Sequence, residues 1–80
     1  MMDIKVLGTG CAKCKTLEKN TREAVSQLGL DAIVTKVEDI VEIMQYNVMI
    51  TPALVVDGKV VIKGGVPSVT ELKSFFTLNK

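Results

Sequence analysis

Residues 2–14 read Met2-Asp3-Ile4-Lys5-Val6-Leu7-Gly8-Thr9-Gly10-Cys11-Ala12-Lys13-Cys14. Met2 to Leu7 alternates between apolar and polar for four positions and stops at Gly8, the pattern of a strand. Counting from Cys14, apolar or small residues recur at Leu17, Thr21, Ala24, Val25 and Leu28, the spacing of a helix, while Lys15, Glu18, Lys19, Arg22 and Glu23 fall elsewhere. The chain therefore passes from strand to helix across a short turn, and its two cysteines, Cys11 and Cys14, stand at that seam. A thiol at a helix N-terminus meets unpaired backbone N–H groups and the positive end of the helix dipole, and both favour the thiolate. The helical stripe puts Cys14 on the inward side and leaves Cys11 at the capping end, so the two sulfurs are expected to be inequivalent.

Further along, Glu18 with Arg22 and Lys19 with Glu23 are i,i+4 pairs of opposite charge on a solvated face. Gly29 is the expected helix stop, and Asp31 to Val37, with Ile33, Val34 and Val37, is a second strand. Asp39 with Glu42 has the layout of a capping box, after which Ile40, Ile43, Met44 and Asn47 trace one face of a short helix, with Asn47 as its left-handed end and Tyr46 as a packing residue. Ala53 to Val56 and Lys59 to Lys63 flank Asp57-Gly58, a strong hairpin signal. After Gly64-Gly65, Ser68 and Glu71 form a second capping box that opens a helix with Val69, Leu72, Phe75 and Phe76 inward. The order β-α-β-α-β-β-α predicts an α/β fold: a four-stranded mixed sheet with helices on both faces, the first two strands parallel. No repeat, linker or low-complexity segment divides residues 1–80, which are expected to form a single domain.

Ten basic against nine acidic residues, interspersed, give a formal charge of +1, so nothing points to a nucleic-acid partner. The N-terminal residues lack the apolar segment and cleavage site of a signal peptide, and no apolar run approaches the roughly eighteen residues that cross a bilayer. The expectation is a cytoplasmic protein with no membrane contact. In a reducing compartment an isolated Cys-x-x-Cys serves redox or metal chemistry more often than crosslinking. As a staple it would be poor: closing four residues is worth about 2 kcal/mol in the chain-entropy model, against about 3 for fifteen. Gly8-Thr9-Gly10 is not a dinucleotide loop, because Lys13 occupies the third glycine position and the chain is too short for that fold. Met44 and Met49 are more naturally packing residues than soft-metal ligands.

The element order, with Cys-x-x-Cys after the first strand and Thr51-Pro52 before the third, resembles the thioredoxin and glutaredoxin superfamily in a minimal form. Thr9-Gly10-Cys11-Ala12-Lys13-Cys14, Leu17-Glu18-Lys19-Asn20, and the stretch from Thr51-Pro52-Ala53-Leu54 to Asp57-Gly58 are similar to small redox-active disulfide proteins of archaea and bacteria. The resemblance implies that the Thr51-Pro52 bond is cis, that Pro52 faces the dithiol, and that Thr51 pairs with a substrate strand, with Gly10 also at the substrate surface. It implies as partners disulfide-containing target proteins and a thioredoxin-reductase-like electron donor, with the protein acting as a monomer and needing neither metal nor cofactor beyond the dithiol. The chain departs from thioredoxins in having Gly10 where Trp usually precedes the first cysteine, and Ala12-Lys13 between the pair. It departs from glutaredoxins in following Gly64-Gly65 with Val66, Pro67 and Ser68 instead of acidic residues, which disfavours glutathione as a partner.

The activity expected is thiol-disulfide exchange, with Cys11 as nucleophile and Cys14 as the resolving thiol. A cysteine near pKa 8.5 is about 3% thiolate at pH 7, whereas one near 7 is about half ionised. Lys13 is a candidate for electrostatic support of that shift. No acceptor for the proton of Cys14 is evident, the chain having no histidine. The alternative is a soft-metal carrier, since paired thiolates before a helix also bind copper(I) or zinc. Against it stand Thr9, where copper carriers usually have Met, and the helix that follows the second strand. A closed zinc site would also need two further ligands.

Overall fold

The computed structural model describes residues 2–10 and 12–78. Its elements are β1 (Met2–Leu7), α1 (Ala12–Leu28), β2 (Ala32–Val37), α2 (Ile40–Gln45), β3 (Ala53–Val56), β4 (Lys59–Lys63) and α3 (Val69–Leu78). The sheet order is β2-β1-β3-β4, with β1 parallel to β2 and the other neighbours antiparallel. This is the expected βαβαββα order with a mixed four-stranded sheet.

Strand alternation sorts side chains onto two faces. Ile4, Val6, Leu54 and Val56 point to one face, where they pack with Leu17 and Ala24 of α1 and Leu72 and Phe76 of α3. Leu7, Val37, Ala53 and Val55 gather on the other with Ile43 of α2 and Val48. Helices thus cover both faces, α1 and α3 sharing one. Along α1 the buried residues are Cys14, Leu17, Thr21 and Ala24, which is the predicted stripe, and the Thr21 hydroxyl is satisfied by donating to the Leu17 carbonyl at 2.7 Å. Gly29, at φ +62°, ends α1 in a Schellman motif: its N–H donates to Ser26 O and that of Leu30 to Val25 O. Asp57 and Gly58 both take positive φ, as a two-residue type I′ hairpin requires. Ser68 and Glu71 form the full capping box, each reaching the other's backbone N–H.

Three expectations need correction. The stripe predicted for α2 is not buried as a stripe: Ile43 is covered, but Ile40 and Met44 are exposed, as is Val41. A helix of six residues has little more than one turn to lay on the sheet, and Val48, beyond its end, supplies the next apolar contact. Asp39 caps α2 by accepting from Val41 N–H at 3.0 Å, but the return bond from Glu42 is not among the described hydrogen bonds. Of the α1 pairs, Arg22 meets Glu18 at 3.0 Å, whereas Glu23 accepts from Gln27 at 2.9 Å instead of meeting Lys19.

Lys5, on the α2 side of β1, donates to Tyr46 Oη at 3.2 Å. Its Nζ is 5.9 Å from the ring centroid, about what an ammonium standing beyond the hydroxyl gives, so the contact is a hydrogen bond at the ring's rim and not a cation over its face. That bond, followed by the charges of Tyr46 and Asp3, raises the Lys5 pKa above its ordinary 10.5. Its stabilising effect is complete below that pH and is lost as pH climbs through the raised value.

Phe76 is fully buried between α1, α3 and the sheet. Phe76→Ala is expected to cost about 3–5 kcal/mol of unfolding free energy, measured by denaturant titration with an unchanged m-value.

Candidate active site

One end of the sheet collects the residues of interest, and the backbone ladders put them there. Leu7 pairs with Ala53, so the next positions, Gly8 after β1 and Pro52 before β3, stand level across the sheet end. Gly8 N–H extends the β1–β2 ladder by donating to Val37 O at 3.0 Å, and Gly64 N–H extends β3–β4 by donating to Pro52 O at 2.7 Å. The Thr51-Pro52 peptide bond is cis. Turning the corner from β1 into α1 uses Gly10 at φ +91°, a conformation that L side chains rarely adopt.

Cys14 lies in the first turn of α1, 4% exposed, and is disulfide-bonded. The sequence has one other cysteine, Cys11, which is outside the described residues. Cys14 is seated against Gly8 so closely that a β-carbon there would stand 2.8 Å from Cys14 Cβ and collide with the sulfur as well. Gly8 therefore serves as the floor under Cys14, a use that its place at the end of a strand did not signal. The first turn of α1 contains no acidic residue, so no carboxylate of the helix itself opposes a thiolate at its N-terminus. Lys13 and Lys15 in that turn are exposed.

Thr51 is exposed and Pro52 buried. Next to them Met49 is 96% exposed and Ile50 61%. With Ile40, Val41 and Met44 they make up five of the six large apolar side chains left exposed among the described residues, all within residues 40–50. Met44 and Met49 are thus exposed and lie outside the core. The described residues include no group of three Cys, Asp, Glu or His side chains placed to hold a metal ion. No described helix is long and apolar enough to cross a membrane.

A thioredoxin-domain family profile matches residues 2–77. The chain belongs to the thioredoxin family. The thioredoxin of Methanothermobacter thermautotrophicus is 44% identical over 77 residues, 96% of this chain and the whole of that protein. The thioredoxin of Methanocaldococcus jannaschii is 42% identical over 73 residues, covering 91% of this chain and 84% of the relative. As a member of this family, the protein is a thiol-disulfide oxidoreductase.

Because Gly8 has no room for a side chain beneath Cys14, Gly8→Ala is expected to destabilise the oxidised protein by about 1–3 kcal/mol, read from chemical denaturation of the disulfide form.

Proposed function

We propose that this thioredoxin-family protein reduces or exchanges disulfides of partner proteins through Cys11 and Cys14. The observation that carries the assignment of roles is the depth of Cys14, nearly inaccessible in the first turn of α1 behind Gly8. A buried sulfur cannot meet a partner's disulfide, so Cys11 is the nucleophile. Its thiolate attacks one partner sulfur, forming a Cys11–partner disulfide and releasing the other partner sulfur as thiolate. Cys14, deprotonated, then attacks the Cys11 sulfur, forming the Cys11–Cys14 disulfide and releasing the second partner sulfur, so that two electrons have passed to the partner. Thr51, Pro52 and Gly10 line the surface that receives the partner, and Lys13 lends positive potential to the thiolate.

The exposed apolar side chains of Ile40, Val41, Met44, Met49 and Ile50 support docking of a protein partner, since Met49 and Ile50 lead directly into Thr51-Pro52 and no described residue covers them. Residues 1–80 act in this reading as one domain and as a monomer, with a thioredoxin-reductase-like donor returning electrons to the disulfide. The dithiol is the sole redox group, the location is the cytoplasm, and glutathione, nucleic acid and membrane are not partners.

Replacing Cys14 with Ser should trap a mixed disulfide through Cys11, seen as a partner adduct by non-reducing electrophoresis and peptide mapping, and replacing Cys11 with Ser should abolish exchange. An adduct mapped to Cys14 in the Cys11 variant would reverse the assignment. Met49→Asp should slow reduction of a protein disulfide several-fold while leaving the rate on a small aromatic disulfide and the thermal midpoint unchanged, because Met49 packs on almost nothing.

A further inference from the structure

Glu38 directly follows the last residue of β2 and reaches the corner loop. Its Oε2 would stand 3.2 Å from a β-carbon at Gly10, so the carboxylate lies against the backbone of the residue bonded to Cys11. Its other oxygen, Oε1, is 3.6 Å from Lys36 Nζ. Lys36 is in turn 4.0 Å from Glu18, and Glu18 is held by Arg22 at 3.0 Å. A chain of alternating charges thus runs from the middle of α1 across the end of β2 and finishes with a carboxylate at the redox corner. A β-carbon at Gly10 would oblige the carboxylate to give way by a few tenths of an ångström.

We propose that Glu38 is a positioning residue of the redox site, its carboxylate held by Lys36 beside Gly10 so that it disfavours a thiolate on Cys11 and biases the protein toward giving electrons away. The proposal rests on Cys11 being the nucleophile and addresses what that assignment leaves open, the direction of electron flow. The couple is disulfide plus two electrons and two protons giving two thiols. Whatever stabilises thiolate draws this couple toward the reduced side and makes the protein an oxidant, as the N-terminus of α1 does. A neighbouring negative charge acts in the opposite sense, raising the thiol pKa and lowering the reduction potential. Other charged groups at this end are Lys13 and Lys15 on α1, Lys36 on β2, Lys63, which ends β4 opposite Ala53, Asp39, which is occupied in capping α2, and Glu42, whose charge reaches Lys5. Among these acids, Glu38 is the one the structure brings to the corner loop. More than half of its side chain is exposed, so its effect on Cys11 is screened and modest.

The test follows the pH dependence of iodoacetamide alkylation of the fully reduced protein at low ionic strength, with the modified cysteine identified by mass spectrometry, for wild type, Glu38→Gln and Lys36→Gln. Glu38→Gln should lower the midpoint for Cys11 by about half a pH unit, and Lys36→Gln, which removes an offsetting positive charge, should raise it by less. The Glu38→Gln shift should shrink in about 1 M salt. Equilibration against a dithiol buffer should give Glu38→Gln the less negative reduction potential. Alkylation at Cys11 with coincident midpoints for wild type and Glu38→Gln overturns the proposal alone. Faster alkylation at Cys14 overturns the assignment of the nucleophile and the proposal with it.

Discussion

The seating of α1 on the end of β1 is the contact on which the site depends. Helix and strand are joined across positions 8–11, and the first inward residue of the helix, Cys14, comes down directly on Gly8. Any side chain at Gly8 would lift that turn and with it the sulfur. Farther along α1, Leu17 and Ala24 continue the seal onto Ile4 and Val6, with Thr21 facing inward on the same stripe, and Asn20 donates to Pro67 O at 3.1 Å, fastening the helix to the loop before α3. The position of one sulfur is thus fixed by the packing of a whole face of the sheet.

The same end of the sheet brings together residues that are distant in sequence. Parallel pairing of β1 with β2 puts Val37 beside Gly8 and hence Glu38 within reach of Gly10, and antiparallel pairing of β1 with β3 puts Pro52 level with Gly8. β1, β2 and β4 therefore end at this rim and β3 begins there. Between residues 40 and 50, Ile43 and Val48 are buried against the sheet while Ile40, Val41, Met44, Met49 and Ile50 leave their side chains exposed.

Much of this was legible in the sequence because each element carries its own local signal. Gly29, Asn47, Asp57 and Gly58 were marked as chain-reversing positions and all adopt positive φ, and Ser68 with Glu71 announced the start of α3. Periodicity located Cys14, Leu17, Thr21 and Ala24 on the buried side of α1. It failed for α2, because a pattern reports which face is apolar and not whether anything lies beneath it. Ile40 and Met44 face solvent for that reason. Gly8 and Glu38 carried no signal at all: a glycine ending a strand and an acid following one are ordinary, and their meaning comes from what the strand pairing sets beside them.

The opposite end of the sheet carries the hairpin turn between β3 and β4. There Asp57 exchanges two bonds with Asp3, its N–H donating to Asp3 O at 2.7 Å and its carboxylate accepting from Asp3 N–H at 2.9 Å, so the hairpin is clamped to the first strand. Lys59, next to that turn, is exposed and separated from the corner loop by the length of the strands. A dye, affinity handle or solid support attached there would leave the rim facing outward, giving an immobilised form of the protein whose chemistry stays open to the solution.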